Sequence, residues 1–127
     1  MSARFRALSA VPFLALLVLA PAAGAQEANG DRLFRTRCAS CHSLEPGQNR
    51  IGPSLSGIVG RKAGSLEGAR YSQGLRDLGI TWDAAQLNSF LANPRAMVKG
   101  TTMTVAVTNA ADRAAIIAYL QGQPPSN

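Results

Sequence analysis

Five consecutive residues carry most of the chemistry this chain can do. Cys38-Ala39-Ser40-Cys41-His42 holds both of its cysteines and its only histidine. The Cys-x-x-Cys-His spacing is the signature of covalent attachment to a c-type haem. Thiols at i and i+3 lie on the same side of a helical turn, so both sulfurs can reach the vinyl edge of one porphyrin. His42 is then carried beneath the ring, where an imidazole nitrogen can bind iron. Two other chemistries use the same residue types. A dithiol redox pair belongs in a βαβ context, which the helix-dominated pattern below does not supply. A structural zinc site takes four ligands, usually Cys or His, and the chain offers three in all.

The chain around this motif is short and exported in character. Residues 1–25 read as a secretory signal peptide, with Arg4 and Arg6 before an apolar run from Ala10 to Ala20 and a small-residue cleavage site at Ala23-Gly24-Ala25. The alternative is a retained anchor. Pro12 and Pro21 interrupt the apolar run, which is shorter than the ~20 residues a spanning helix needs. Cleavage before Gln26 leaves residues 26–127 as one small domain with no stable membrane insertion. Losing Arg4 and Arg6 takes the basic residues from 13 to 11 against 7 acids, a net charge of +4. The basic residues are scattered, and no aromatics interleave them for base stacking, so nucleic acid is not the expected partner. A modest positive charge suits steering towards an acidic protein. Two cysteines in an exported chain would ordinarily form a disulfide, and the adjacent His42 tips them towards thioethers.

The elements that must position the motif are helical. Gly30 to Cys41 reads as a first helix, with Asn29 as its cap and Asp31 in the first turn. Ser43 to Tyr71 is rich in Gly, Pro, Ser and Arg without a sustained period, a long loop of the kind that wraps something. Ser72 to Leu78 is a short helix, and Thr81 and Asp83 start another that Asn93-Pro94 ends. Arg95 to Thr104 is irregular and contains Met97 and Met103. The last helix runs from about Asn109 to Gln121, capped by Asn109 with Asp112 three residues on and stopped by Gly122. The tail 122–127 should be loose. Leu55, Ile58, Ile80, Leu87, Leu91, Val105 and Ile117 are candidates to enclose an apolar cofactor.

At this point the chain resembles the class I c-type cytochromes, the family of mitochondrial cytochrome c and its periplasmic bacterial relatives. The likeness covers nearly all of residues 29–121. It rests on the Cys-x-x-Cys-His run, on Gly52-Pro53 through Gly64, and on Tyr71-Ser72 and Gly79-Ile80-Thr81-Trp82. Asn93-Pro94, Gly100-Thr101-Thr102-Met103 and Asp112 to Leu120 complete it. The resemblance implies an all-α fold in which the N- and C-terminal helices cross and shorter helices and loops wrap one covalent haem c. It implies thioethers at Cys38 and Cys41, and His42 and Met103 as axial ligands. The Pro53 carbonyl would take the other imidazole proton, and Arg61, Tyr71 and Trp82 would hold the propionates. Gly30 and Phe34 would cross Ile116 and Tyr119. Met97, in what should be a helical turn, reads instead as gap-filling core.

This sequence departs from the family pattern at two places. Lys99 stands where a proline commonly precedes the Gly-Thr-x-Met run, and Phe90 stands where a tyrosine often donates to the methionine sulfur. Lys99 reads as a solvated charge, or as a ligand that displaces Met103 at high pH. Two protein ligands leave iron no open position, so the implied function is a soluble, monomeric, periplasmic one-electron carrier and not an enzyme. Its expected partners are acidic redox proteins, such as a cytochrome bc-type complex and a terminal oxidase or reductase, met through Arg37, Arg50, Arg95 and Lys99. The alternatives are a haem enzyme or ligand sensor with an open distal site, or a dithiol redox protein.

Overall fold

The computed structural model describes residues 23–124, so the apolar run of the expected signal peptide and the last residues of the tail lie outside the described residues. Five helices follow in order: α1 (Ala23–Arg37), α2 (Gln73–Asp77), α3 (Ala84–Ala92), α4 (Pro94–Met97) and α5 (Ala110–Gln121). No strand forms among the described residues, only an isolated antiparallel bridge between Lys62 and Thr81. The architecture is all-α, as the sequence pattern and the resemblance imply.

Each later helix starts where a short polar side chain satisfies the free N–H groups of its first turn. Ser72 accepts from Leu75, Asp83 from Gln86, Asn93 from Ala96 and Asn109 from Asp112. Pro94 occupies the first turn of α4, where its missing N–H is no loss.

α1 differs from expectation at both ends. It begins upstream of Asn29, whose side chain accepts from Arg32 at 2.7 Å instead of capping. It stops at Arg37, and Cys38 to Cys41 form turns. The amides of both Cys38 and Ala39 bond the Phe34 carbonyl, while those of Cys41 and His42 both bond the Cys38 carbonyl at 3.0 and 2.9 Å. The helical ladder thus tightens into a turn that still keeps the cysteines one turn apart.

α1 and α5 cross at Gly30. A Cβ added there would meet the Ala115 carbonyl oxygen and lie 2.6 Å from Tyr119 Cβ, so only glycine permits this approach. Beside the crossing the Phe34 and Tyr119 rings meet at 5.9 Å, and the Tyr119 hydroxyl donates to Asp31 at 3.0 Å. Ile116, 0% exposed, lies at the centre of the core with Leu33, Phe34 and Leu120. α5 also packs on α3, and α3 on α4. After α5 the amides of Gly122 and Gln123 still bond to carbonyls of the helix, and Ser56 reaches Pro124. No described helix is long and apolar enough to cross a membrane.

Candidate functional site

Helices and loops together enclose one cavity of about 1200 Å³, counted out to its open mouth. Cys38, Cys41, His42 and Met103 all line it. So do Pro53, Arg61, Tyr71 and Trp82, so the residues expected to hold the haem and its iron meet in this space.

The His42 side is built from the turn after α1 and the loop behind it. His42 Nδ1 donates to the Pro53 carbonyl at 2.7 Å. A carbonyl can only accept, so Nδ1 carries the proton and Nε2 keeps the lone pair a metal needs. Gly52 makes the approach possible, because an added Cβ would fall on the imidazole, 2.7 Å from Nδ1. Burial lowers the His42 pKa; the Pro53 bond opposes this and the Arg61 charge adds to it. The ring is therefore held neutral, the form that ligates. Neither cysteine is in a disulfide. Burial pushes the Cys38 thiol up to about 11, with Arg37 pulling it back and Cys41 adding to the rise.

Met103 reaches the cavity from the segment after α4, and its amide donates to Thr101 Oγ1 at 3.2 Å. Met97 is half-buried against the core and lies off the cavity wall. Phe90 does line the cavity and packs on Trp82 at 5.2 Å, tilted by 53°. Lys99 is exposed and is not part of the wall.

The polar groups on the wall are cationic or donors. Arg61, Arg37 and Arg70 line the cavity, and no Asp or Glu does. Arg61 spends two N–H groups on the Ser56 and Ser54 carbonyls at 3.1 and 2.8 Å. Among the described residues its guanidinium pairs with no carboxylate, while burial lowers its pKa. The Tyr71 hydroxyl accepts from the Leu66 amide at 3.3 Å, which leaves its own proton free to donate. Trp82 is buried, and no described residue accepts from its indole N–H. A half-buried cation with no protein anion and free donors beside it suits a ligand that carries carboxylates. Two thiols, a neutral imidazole, a thioether and an apolar wall complete a donor set that fits a covalently bound haem.

The structure corrects the expected enclosure in detail. Leu55, Ile58, Leu87, Leu91 and Val105 line the cavity, but Ile80 and Ile117 do not. Ile116 and Leu120, four residues apart on one face of α5, take that position, and Ile117 points into the core beside them. Sequence reasoning also missed Arg70, Leu75 and the 79%-exposed Ile51 at the wall. The run Arg70-Tyr71-Ser72 was the available signal for the first of these. Of the docking candidates, Arg37, Arg50, Arg95 and Lys99 are all exposed, and only Arg37 lines the cavity.

Comparison with known proteins gives a consistent picture. The family model described as "Cytochrome c" matches residues 27–124. The chain is 47% identical over 85 residues to "Cytochrome c2 iso-2" of Magnetospirillum fulvum, covering 66% of this chain and 88% of the relative. It is 44% identical over 101 residues to "Cytochrome c" of Gibberella zeae, covering 78% and 95%. To "Cytochrome c2" of Rhodoblastus acidophilus it is 44% identical over 93 residues, covering 72% and 86%.

Proposed function

The chain belongs to the cytochrome c family and carries one covalently bound haem c as an electron carrier, and we propose that it works as a soluble, exported one-electron shuttle with iron held between His42 and Met103. One observation supports this above the others. A single cavity unites an imidazole with a free Nε2, the Met103 thioether and both thiols, although Met103 is remote from them in sequence.

When bound, the haem supplies an Fe(III)/Fe(II) couple. Cys38 and Cys41 would hold it covalently through thioethers. Pro53 holds the Nδ1 proton of His42, which orients the ring and strengthens donation from Nε2. Met103 would hold the iron through its sulfur, a donor that favours Fe(II). Arg61, Tyr71 and Trp82 offer guanidinium, hydroxyl and indole donors to the propionates. The apolar wall excludes water and disfavours the extra positive charge of the ferric state, which raises the potential.

With iron held by both His42 and Met103, no position would be left open for a substrate. The chain therefore carries electrons and is not an enzyme. Residues 1–25 would be removed on export, leaving a monomeric domain of residues 26–127 in the periplasm. Its net positive charge and the exposed Arg37, Arg50, Arg95 and Lys99 suit acidic redox partners, such as a cytochrome bc-type complex and a terminal oxidase or reductase.

The test begins with protein from a haem-maturing host, whose pyridine haemochrome spectrum should be that of a c-type haem. Met103→Ala should abolish the far-red sulfur-to-iron band, and Met97→Ala should leave it. The reverse pattern, or rapid carbon monoxide binding to the reduced wild-type protein, would overturn the ligand assignment.

A further inference from the structure

The segment from Val98 to Asn109 delivers Met103, and its own hydrogen bonds are few. Upstream, the Thr101 amide bonds the Val98 carbonyl at 3.3 Å and Met103 bonds the Thr101 side chain. Thr104, Val105 and Ala106 are all exposed. The next firm point is Val107, which is buried and donates its amide to the Leu91 carbonyl on α3 at 2.8 Å. Between Met103 and that point the chain is slack unless something fixes its downstream end.

Arg113 does so. It lies in the first turn of α5, where a cation opposes the positive end of the helix dipole. Its placement costs the helix something, and its hydrogen bonds show what offsets this. One Nη1 donates to both the Val107 and Thr108 carbonyls, at 2.9 and 2.8 Å. Nε donates to Asn88 Oδ1 on α3 at 2.8 Å. Asn88 and Leu91 are three residues apart on α3 and so share a face. That face holds the Val107 amide directly and the two carbonyls through the guanidinium. From Val107 back to Met103 is a reach of at most ~14 Å.

We infer that Arg113, oriented by Asn88, is a positioning residue that holds the Met103 segment against the cavity and so keeps the methionine sulfur on iron. This rests on the reading of Met103 as an axial ligand. Neither residue touches the cavity wall, so the effect must pass through the backbone at Val107 and Thr108.

The experiment titrates the ferric holoprotein with imidazole, which must displace Met103 to bind. With the guanidinium's hold on the segment gone, Arg113→Ala should raise imidazole affinity about tenfold, a change of about 1.4 kcal/mol, and weaken the far-red band. Asn88→Ala leaves the guanidinium in place but unguided and should act in the same direction by less. Arg113→Lys keeps the charge without the planar fork and should fall between wild type and Arg113→Ala. Tyr119→Phe, which loosens only the α1–α5 crossing, should lower the melting temperature and leave imidazole affinity unchanged. If Arg113→Ala yields no holoprotein, Asn88→Ala decides. Wild-type imidazole affinity in every recovered variant of Arg113 and Asn88 overturns the inference, as does a Tyr119→Phe protein whose affinity rises equally. A Met103→Ala protein that keeps the far-red band overturns the ligand reading and this inference together. Loss of that band alongside unchanged Asn88 and Arg113 variants overturns this inference alone.

Discussion

Residues 41–61 and residues 98–109 each bring to the cavity an atom able to bind iron, but the first segment is laced to itself and the second is strapped to its neighbours. Behind His42, the Gly52 amide returns to the Cys41 carbonyl and the Leu55 amide to the Ser43 carbonyl, both at 2.8 Å. Ser54 Oγ donates to the Glu45 carbonyl at 2.7 Å, and Arg61 ties the Ser54 and Ser56 carbonyls. These partners all lie within a short stretch of chain, and only the far end of the loop, at Ser56, Gly60 and Arg61, also reaches Pro124 and Trp82. The Met103 segment instead depends on Leu91, Asn88 and Arg113, which belong to two separate helices. Rigidity on the His42 side is therefore local, and on the Met103 side it is tertiary. An electron carrier built this way should lose the methionine before it loses the histidine.

The largest expected effect tests the local side. Gly52→Ala drives a methyl group onto the imidazole, and overpacking of this kind costs about 1–3 kcal/mol. The holoprotein should melt lower and accumulate less haem, both measurable by thermal unfolding and by absorbance per protein. If Gly52→Ala matches wild type in both, the loop is looser than its bonds imply.

Thr101→Val comes next and probes the other side. It removes the acceptor of the Met103 amide with little change of shape, at about 1 kcal/mol. The far-red band should fade at a lower temperature while the covalent haem content stays that of wild type. Equal loss of haem and of the band would erase the contrast between the two segments.

The smallest effect concerns neither segment and serves as the reference. Burial, and then the bond and charge of Asp31, raise the Tyr119 pKa above its ordinary value near ~10. Above that pH the unfolded chain releases the phenolic proton more readily than the folded one. The stabilisation is thus complete below about pH 10 and is lost as pH rises through the raised folded value. Tyr119→Phe should cost about 1 kcal/mol at neutral pH and should flatten the alkaline fall in melting temperature. Imidazole affinity should not move.

Much of this was legible because it is local. The Cys-x-x-Cys-His spacing fixes its own geometry within one turn. Ser72, Asp83 and Asn109 announce helix starts because each caps through the residue three positions on, whereas Asn93, expected only to end α3, also caps the start of α4 in a stretch expected to be irregular. The end of α1 was misplaced because the Cys38 turn continues helical bonding to Phe34 before it tightens. Periodicity put Ile116, Ile117 and Leu120 on one stripe but could not divide them, since that depends on the rotation of α5 against its neighbours. Arg113 and Asn88 were invisible for the same reason. They meet across 25 positions, and an arginine in a first helical turn gives no hint of what it holds.

The crossing at Gly30 also bears on how the chain reaches this structure. Asp31 and Tyr119 are 88 positions apart, so their contact closes a loop of almost the whole folded domain. Closing such a loop costs about 4 kcal/mol of chain entropy before any packing is gained. Contacts this distant in sequence slow folding. The docking of the two end helices carries that entropic cost, which the burial of Ile116 and Phe34 at the crossing must offset.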